Sequence, residues 1–76
     1  MKKIFDRKIA SERIRIGIGD DDAHTVAEKT GISEAEVKRI LNGTDEMAYS
    51  EPLIAIARTY GVSMDWILGL TDEMRR

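Results

Sequence analysis

Phe5, Ile9, Arg13 and Ile16 recur at i, i+4, i+8 and i+11, the spacing of one helical face. They predict a first helix over Lys3 to Ile16, with Arg13 the polar member of its stripe. Gly17-Ile18-Gly19 reads as its end. Asp20, Asp21 and Asp22 follow; Asp22 is placed to N-cap a second helix, and all three carboxylates favour a helix N-terminus electrostatically. That helix runs from about Ala23 to Lys29 with Ala23, Val26 and Ala27 inward. Gly31 supplies a left-handed C-terminal residue. Ser33 with Glu36 forms the Ser-x-x-Glu capping box of a third helix, whose apolar face is Val37, Ile40 and Leu41 and whose stop is Asn42-Gly43. Thr44 to Tyr49 is a loop. Ser50-Glu51-Pro52 opens a fourth helix, since proline is tolerated in a first turn; Leu53, Ile56, Ala57 and Tyr60 line it and Gly61 ends it. Ser63 caps a short fifth helix ending by Gly69, with Val62 placed to staple against Ile67.

The pattern predicts an all-α protein of five helices, a single domain over residues 1–70, and a short polar tail over 71–76 expected to fray. Val26, Ala27, Ile32, Val37, Ile40, Leu53, Ile56, Ala57 and Trp66 are its expected core.

Composition narrows the functions. The 76 residues are 42% hydrophobic and 34% charged, the balance of a soluble globular chain, and no apolar run or opening segment reads as a membrane span or signal peptide. Cytoplasm is the expected compartment. There is no cysteine and one histidine, His24, which excludes thiolate chemistry and a multi-histidine metal site. With too little chain for a deep cleft, neither an enzyme, a cofactor nor a small-molecule substrate is expected. The net charge of −2 is unevenly spread: residues 1–19 carry six basic and two acidic groups, residues 20–49 three basic and eight acidic, and residues 50–76 three basic and four acidic.

Residues 23–41 form a helix-turn-helix: Val26-Ala27, then Gly31-Ile32, then Val37, then Ile40. Ala27 is small where the next helix crosses close over it, Gly31 turns the chain at positive φ, and Ile32, Val37 and Ile40 fill the wedge. On the stretches AHTVAEKTGISEAEVKRILNG (23–43) and LIAIARTYGVSMDWILGL (53–70), the chain resembles the phage-repressor and Cro-type DNA-binding domain, the lambda-repressor-like or Xre family. The resemblance covers nearly the whole chain. It implies a compact five-helix domain that binds duplex operator DNA, usually as a homodimer, with the recognition helix, residues 34–41, in the major groove. Carried onto this sequence, it implies base reading by Ser33, Glu34, Ala35, Lys38 and Arg39, and phosphate contacts from Asn42 and Thr44. It also implies a phosphate against the amides that open the second helix.

Four departures bear on that expectation. Ala23 stands where relatives carry a phosphate-bridging glutamine. Asp20, Asp21 and Asp22 lie where that phosphate approaches. Thr44-Asp45-Glu46-Met47 replaces a basic loop, and Leu41 replaces a glutamate that pairs with the first helix's arginine. Without that partner, the Arg13 head is expected either to reach the surface over its stem or to bond backbone carbonyls at a helix end. Phosphate contacts supply most non-specific affinity, and charge-assisted bonds are worth ~1.5–3 kcal/mol each, so losing two or three weakens binding substantially.

Each candidate also has a plainer reading. Glu36 completes the capping box, and Glu34 divides between stabilising the helix and accepting from cytosine N4. Lys38 and Arg39 would otherwise be a solvated face; of the two, Arg39 is the better base reader, its fork fitting guanine O6 and N7. The aspartate run lacks calcium-loop spacing and reads as a cap with a solvated loop, and His24 reads as a surface histidine. Trp66 is expected to seal the core, leaving some of Met64, Leu70 and Met74 as an exposed dimer patch.

The leading expectation is a sequence-specific transcriptional regulator acting by operator occupancy. The alternative is the same fold used as an acidic, antirepressor-like protein-interaction module with weak or no DNA binding.

Overall fold

The computed structural model describes residues 6–43 and 49–75, and shows five helices: α1 (Arg7–Ile18), α2 (Ala23–Thr30), α3 (Glu34–Leu41), α4 (Glu51–Tyr60) and α5 (Met64–Ile67). Phe5, part of the expected first stripe, and the loop residues 44–48 lie outside the described residues.

The caps fall largely where the polar punctuation places them. Asp22 accepts from the Thr25 amide at 2.9 Å, Ser33 from the Glu36 amide at 3.2 Å and Ser63 from the Trp66 amide at 3.3 Å. Each satisfies one of the amides a helix start leaves without an intrahelical partner. Gly31 (φ 81°) closes α2 in the left-handed region, donating its N–H to the Ala27 carbonyl. Thr30 reinforces the turn, its hydroxyl donating to the Val26 carbonyl and accepting from the Ile32 amide.

α1 departs from expectation at both ends and in its face. It starts at Arg7 because Asp6 is extended and its carboxylate takes the Lys8 and Ile9 amides. It runs through Gly17 and stops at Gly19, which has φ 64°. Its buried face is Ala10, Ile14 and Ile18, with Gly17 toward Val62 and Trp66, while Ile9 and Ile16 are 36% and 60% exposed. Both stripes have helical spacing. The narrower one lies inward because a small-residue face admits the segment around α5 at close range.

The core joins that face to Val26, Val37, Ile40, Leu53, Ile56, Ala57, Val62, Trp66 and Ile67, with Ala27, Ile32 and Leu41 half-buried against it. All nine expected core residues therefore sit in or against it. Two side chains of α1 also reach the C-terminal carbonyls of α3. The buried Ser11 hydroxyl donates to the Ile40 carbonyl at 2.6 Å, and Arg15 Nε donates to the Leu41 carbonyl at 2.9 Å.

Arg13 follows the second of its two expected courses. Its Nη1 donates to the carbonyls of Trp66 (2.7 Å) and Thr71 (2.8 Å), its guanidinium lies 5.3 Å from the Trp66 ring centroid, and Asp72 is 3.6 Å from Nη2. These bonds correct the expectation of a frayed tail. Residues 71–75 are drawn back onto the domain, where Ser63 donates its amide to the Met74 carbonyl, Val62 and Arg75 form an antiparallel bridge, and Arg75 donates to the Tyr60 carbonyl. Polar composition suggested solvation, but the tail backbone finds partners that only the folded domain presents.

Three substitutions test this arrangement in denaturant unfolding. Ala27→Leu overpacks the α2–α3 crossing and is expected to cost ~1–3 kcal/mol. Ser11→Ala removes one donor from the Ile40 carbonyl, which still accepts the Gly43 amide at 3.3 Å, for a loss of about 0.5–1.5 kcal/mol; an unchanged midpoint would show that the bond does not hold α3. Arg13→Met removes charge-assisted bonds worth about 1.5–3 kcal/mol and should speed hydrogen exchange at the Ser63 amide, whose acceptor lies in the tail. Unaltered exchange there would refute the tie between Arg13 and the tail.

Candidate nucleic-acid interface

α3 buries Val37 and Ile40, and that fixes its outer face. Ser33, Glu34, Ala35, Lys38 and Arg39 are all exposed. Glu36 turns aside and is half-buried, lining a groove with Glu51 and Pro52 at the start of α4. Asn42 is exposed at the C-terminal end of α3, its amide donating to the Lys38 carbonyl. Thr44, the other expected phosphate contact, lies outside the described residues, as do Asp45 and Glu46.

The charges on this face are not equivalent. Glu34 lies between two basic groups, with His24 Nδ1 3.3 Å from Oε1 and Lys38 Nζ 3.4 Å from Oε2. The Arg39 side chain makes no hydrogen bond or ion pair among the described residues, leaving its guanidinium available to a ligand. His24 lies in the first turn of α2 and is exposed, its Nε2 3.4 Å from Glu28. The hydrogen bond to Glu34, aided by the charges of Glu28 and Glu34, raises its pKa above the usual imidazole value.

The aspartate run has more structure than its sequence suggested. Asp22 is the cap, and its bond to the Thr25 backbone lowers its pKa. An incoming phosphate at the α2 N-terminus therefore meets an amide that already has a carboxylate. Asp21 receives Lys29 at 2.7 Å and the Tyr60 hydroxyl at 2.8 Å, and both bonds lower its pKa. Tyr60 is pushed up to about 12, by burial first and then by Asp21. Asp21 thus ties α2 to α4. Sequence reading missed this link, since residues 21, 29 and 60 meet only in the fold. Among the described residues, no cluster of His, Cys, Asp and Glu is arranged to hold a metal ion.

The expected dimer patch is smaller than its three residues. Met64, on α5, and Met74, in the docked tail, are half-buried against the core, while Leu70 is 50% exposed. Ile9 lies against neighbouring Gly69 and continues the apolar surface.

No helix among the described residues is long and apolar enough to cross a membrane. Searches of curated proteins and of solved structures each found no match. A helix-turn-helix family model matches residues 23–67, from the first residue of α2 to the last of α5. The glycine corner, the buried Val37 and Ile40, and the outward face of α3 are thus parts of one recognised unit, and the chain belongs to the Xre and lambda-repressor-like helix-turn-helix family of DNA-binding regulators.

Proposed function

We propose that this protein is a sequence-specific duplex-DNA-binding transcriptional regulator of phage-repressor or Cro type, acting in the cytoplasm by operator occupancy. The observation that carries the reading is the outer face of α3. Ser33, Glu34, Ala35, Lys38 and Arg39 are exposed together, and Arg39 has no partner among the described residues. Helix-turn-helix proteins place the N-terminal part of this helix against base edges in the major groove. Arg39 then reads a guanine through O6 and N7, Lys38 supplies positive charge, and Glu34 accepts from a cytosine amine. Asn42 and Thr44 hold the flanking phosphate. A homodimer, with Leu70 and Ile9 in its interface, would set two copies of α3 into successive major grooves and read a two-fold-related site.

The acidic segment 20–49 and the Asp22 carboxylate on the Thr25 amide favour a second reading, an acidic protein-interaction module on the same fold. Salt separates the two. Phosphate engagement releases counterions, so duplex affinity must fall steeply between low and high salt.

Arg39→Ala is expected to cost ~1–3 kcal/mol on the best site and to relax preference at one base pair. Asp45→Asn with Glu46→Gln is expected to raise affinity for all duplexes with little change in sequence choice. The measurement is a titration of wild type and variants against selected and random-sequence duplexes at two salt concentrations. Absence of binding by every variant at low salt would remove the operator reading and leave the interaction module.

A further inference from the structure

Both ring nitrogens of His24 face carboxylates: Nδ1 lies 3.3 Å from Glu34 Oε1 on α3, and Nε2 lies 3.4 Å from Glu28 Oε2 on its own helix. A neutral imidazole has one N–H, so one nitrogen would turn a lone pair toward a carboxylate oxygen. Only the imidazolium satisfies both contacts. His24 therefore bridges the first turn of α2 to the first turn of the reading helix, and its second proton is what lets it hold Glu34 and Glu28 at once. Lys38 holds the other Glu34 oxygen at 3.4 Å. Glu34 is thus pinned from two sides when His24 is charged, whereas Glu34 and Glu28 compete for the single N–H of a neutral ring.

The geometry points to His24 as a proton-dependent positioning residue for Glu34, which couples duplex-DNA affinity to pH. The inference rests on the operator reading above. The groups facing the imidazole are Glu28 and the Asp22 cap from the α2 side and Glu34 from α3, with Lys38 acting through Glu34. With His24 charged, these five groups sum to one negative charge; with it neutral, they sum to two. DNA phosphates brought to this face add negative charge and favour the imidazolium further. The bound state then holds the proton more tightly than the free state, and affinity is lost as pH rises through the His24 transition. That transition lies above the ordinary imidazole value because the carboxylates already raise it.

As the sequence holds a single histidine, its ring resonances report this site alone in an NMR pH titration of the full chain. Glu34→Gln should move the ring transition to lower pH. In a parallel titration with a short random-sequence duplex at low salt, wild-type affinity should fall with rising pH by up to about tenfold per pH unit, the limit for one linked proton. His24→Gln should lose that slope while keeping any dependence due to other groups. A ring transition unmoved by Glu34→Gln would overturn the bridge. An equal pH slope in wild type and His24→Gln would overturn the coupling while leaving the operator reading intact. Absence of duplex binding at every pH would overturn the operator reading and the coupling together, with the ring titration still deciding whether the bridge exists.

Discussion

α3 has eight residues, fewer than the ~12–15 that an isolated helix needs to be stable in water. Its shape and aim depend on what holds its two ends. At the N-terminal end, the Gly31 turn sets the angle and Ser33 takes the Glu36 amide. At the C-terminal end, Ser11 and Arg15 of α1 take the Ile40 and Leu41 carbonyls. Between them, Val37 and Ile40 fix the rotation about the helix axis. The exposed Ser33, Glu34, Ala35, Lys38 and Arg39 point outward as a consequence, and α1 helps to hold them there.

The charge of the 20–49 segment has a different meaning in the fold than in the composition. Four of its described carboxylates have internal work: Asp22 caps α2, Asp21 joins Lys29 and Tyr60, Glu28 faces His24, and Glu34 sits between His24 and Lys38. These contacts place cations beside Asp21 and Glu34 and shrink the field that either would project toward phosphate. They also engage Lys29 and Lys38, two of the segment's three basic residues, and leave the Arg39 side chain without a partner among the described residues. Exposed ion pairs of this kind contribute little to stability, so their effect is chiefly on which charges an approaching ligand meets.

Arg13 shows how one missing partner is replaced. Leu41 offers no carboxylate, and the guanidinium turns instead to the Trp66 and Thr71 carbonyls, above the Trp66 ring. The Trp66 carbonyl near the end of α5, which also accepts the Gly69 amide at 3.0 Å, gains a charged donor, and the tail is anchored by the same side chain. Docking of the tail half-buries Met74 against the core and leaves Leu70 exposed beside Gly69 and Ile9.

Local chemistry made much of this legible in the sequence. Asp22, Ser33 and Ser63 cap the helices that follow them because a short oxygen-bearing side chain satisfies amides two or three residues on, and Gly31 and Gly61 end helices because the turn demands positive φ. The apolar spacing of α2, α3 and α4 likewise left one way to bury each, and with it the outward face of α3. Where two solutions had equal spacing, sequence could not choose. α1 buries Ala10, Ile14 and Ile18 in place of Ile9 and Ile16 because closeness to Val62 and Trp66, not hydrophobicity along the helix, set its rotation. The Asp21–Tyr60, Ser11–Ile40, Arg13–Thr71 and His24–Glu34 contacts were beyond reach for a related reason. Each joins residues ten to fifty-eight positions apart, and only tertiary packing brings a donor on one element within bonding distance of an acceptor on another.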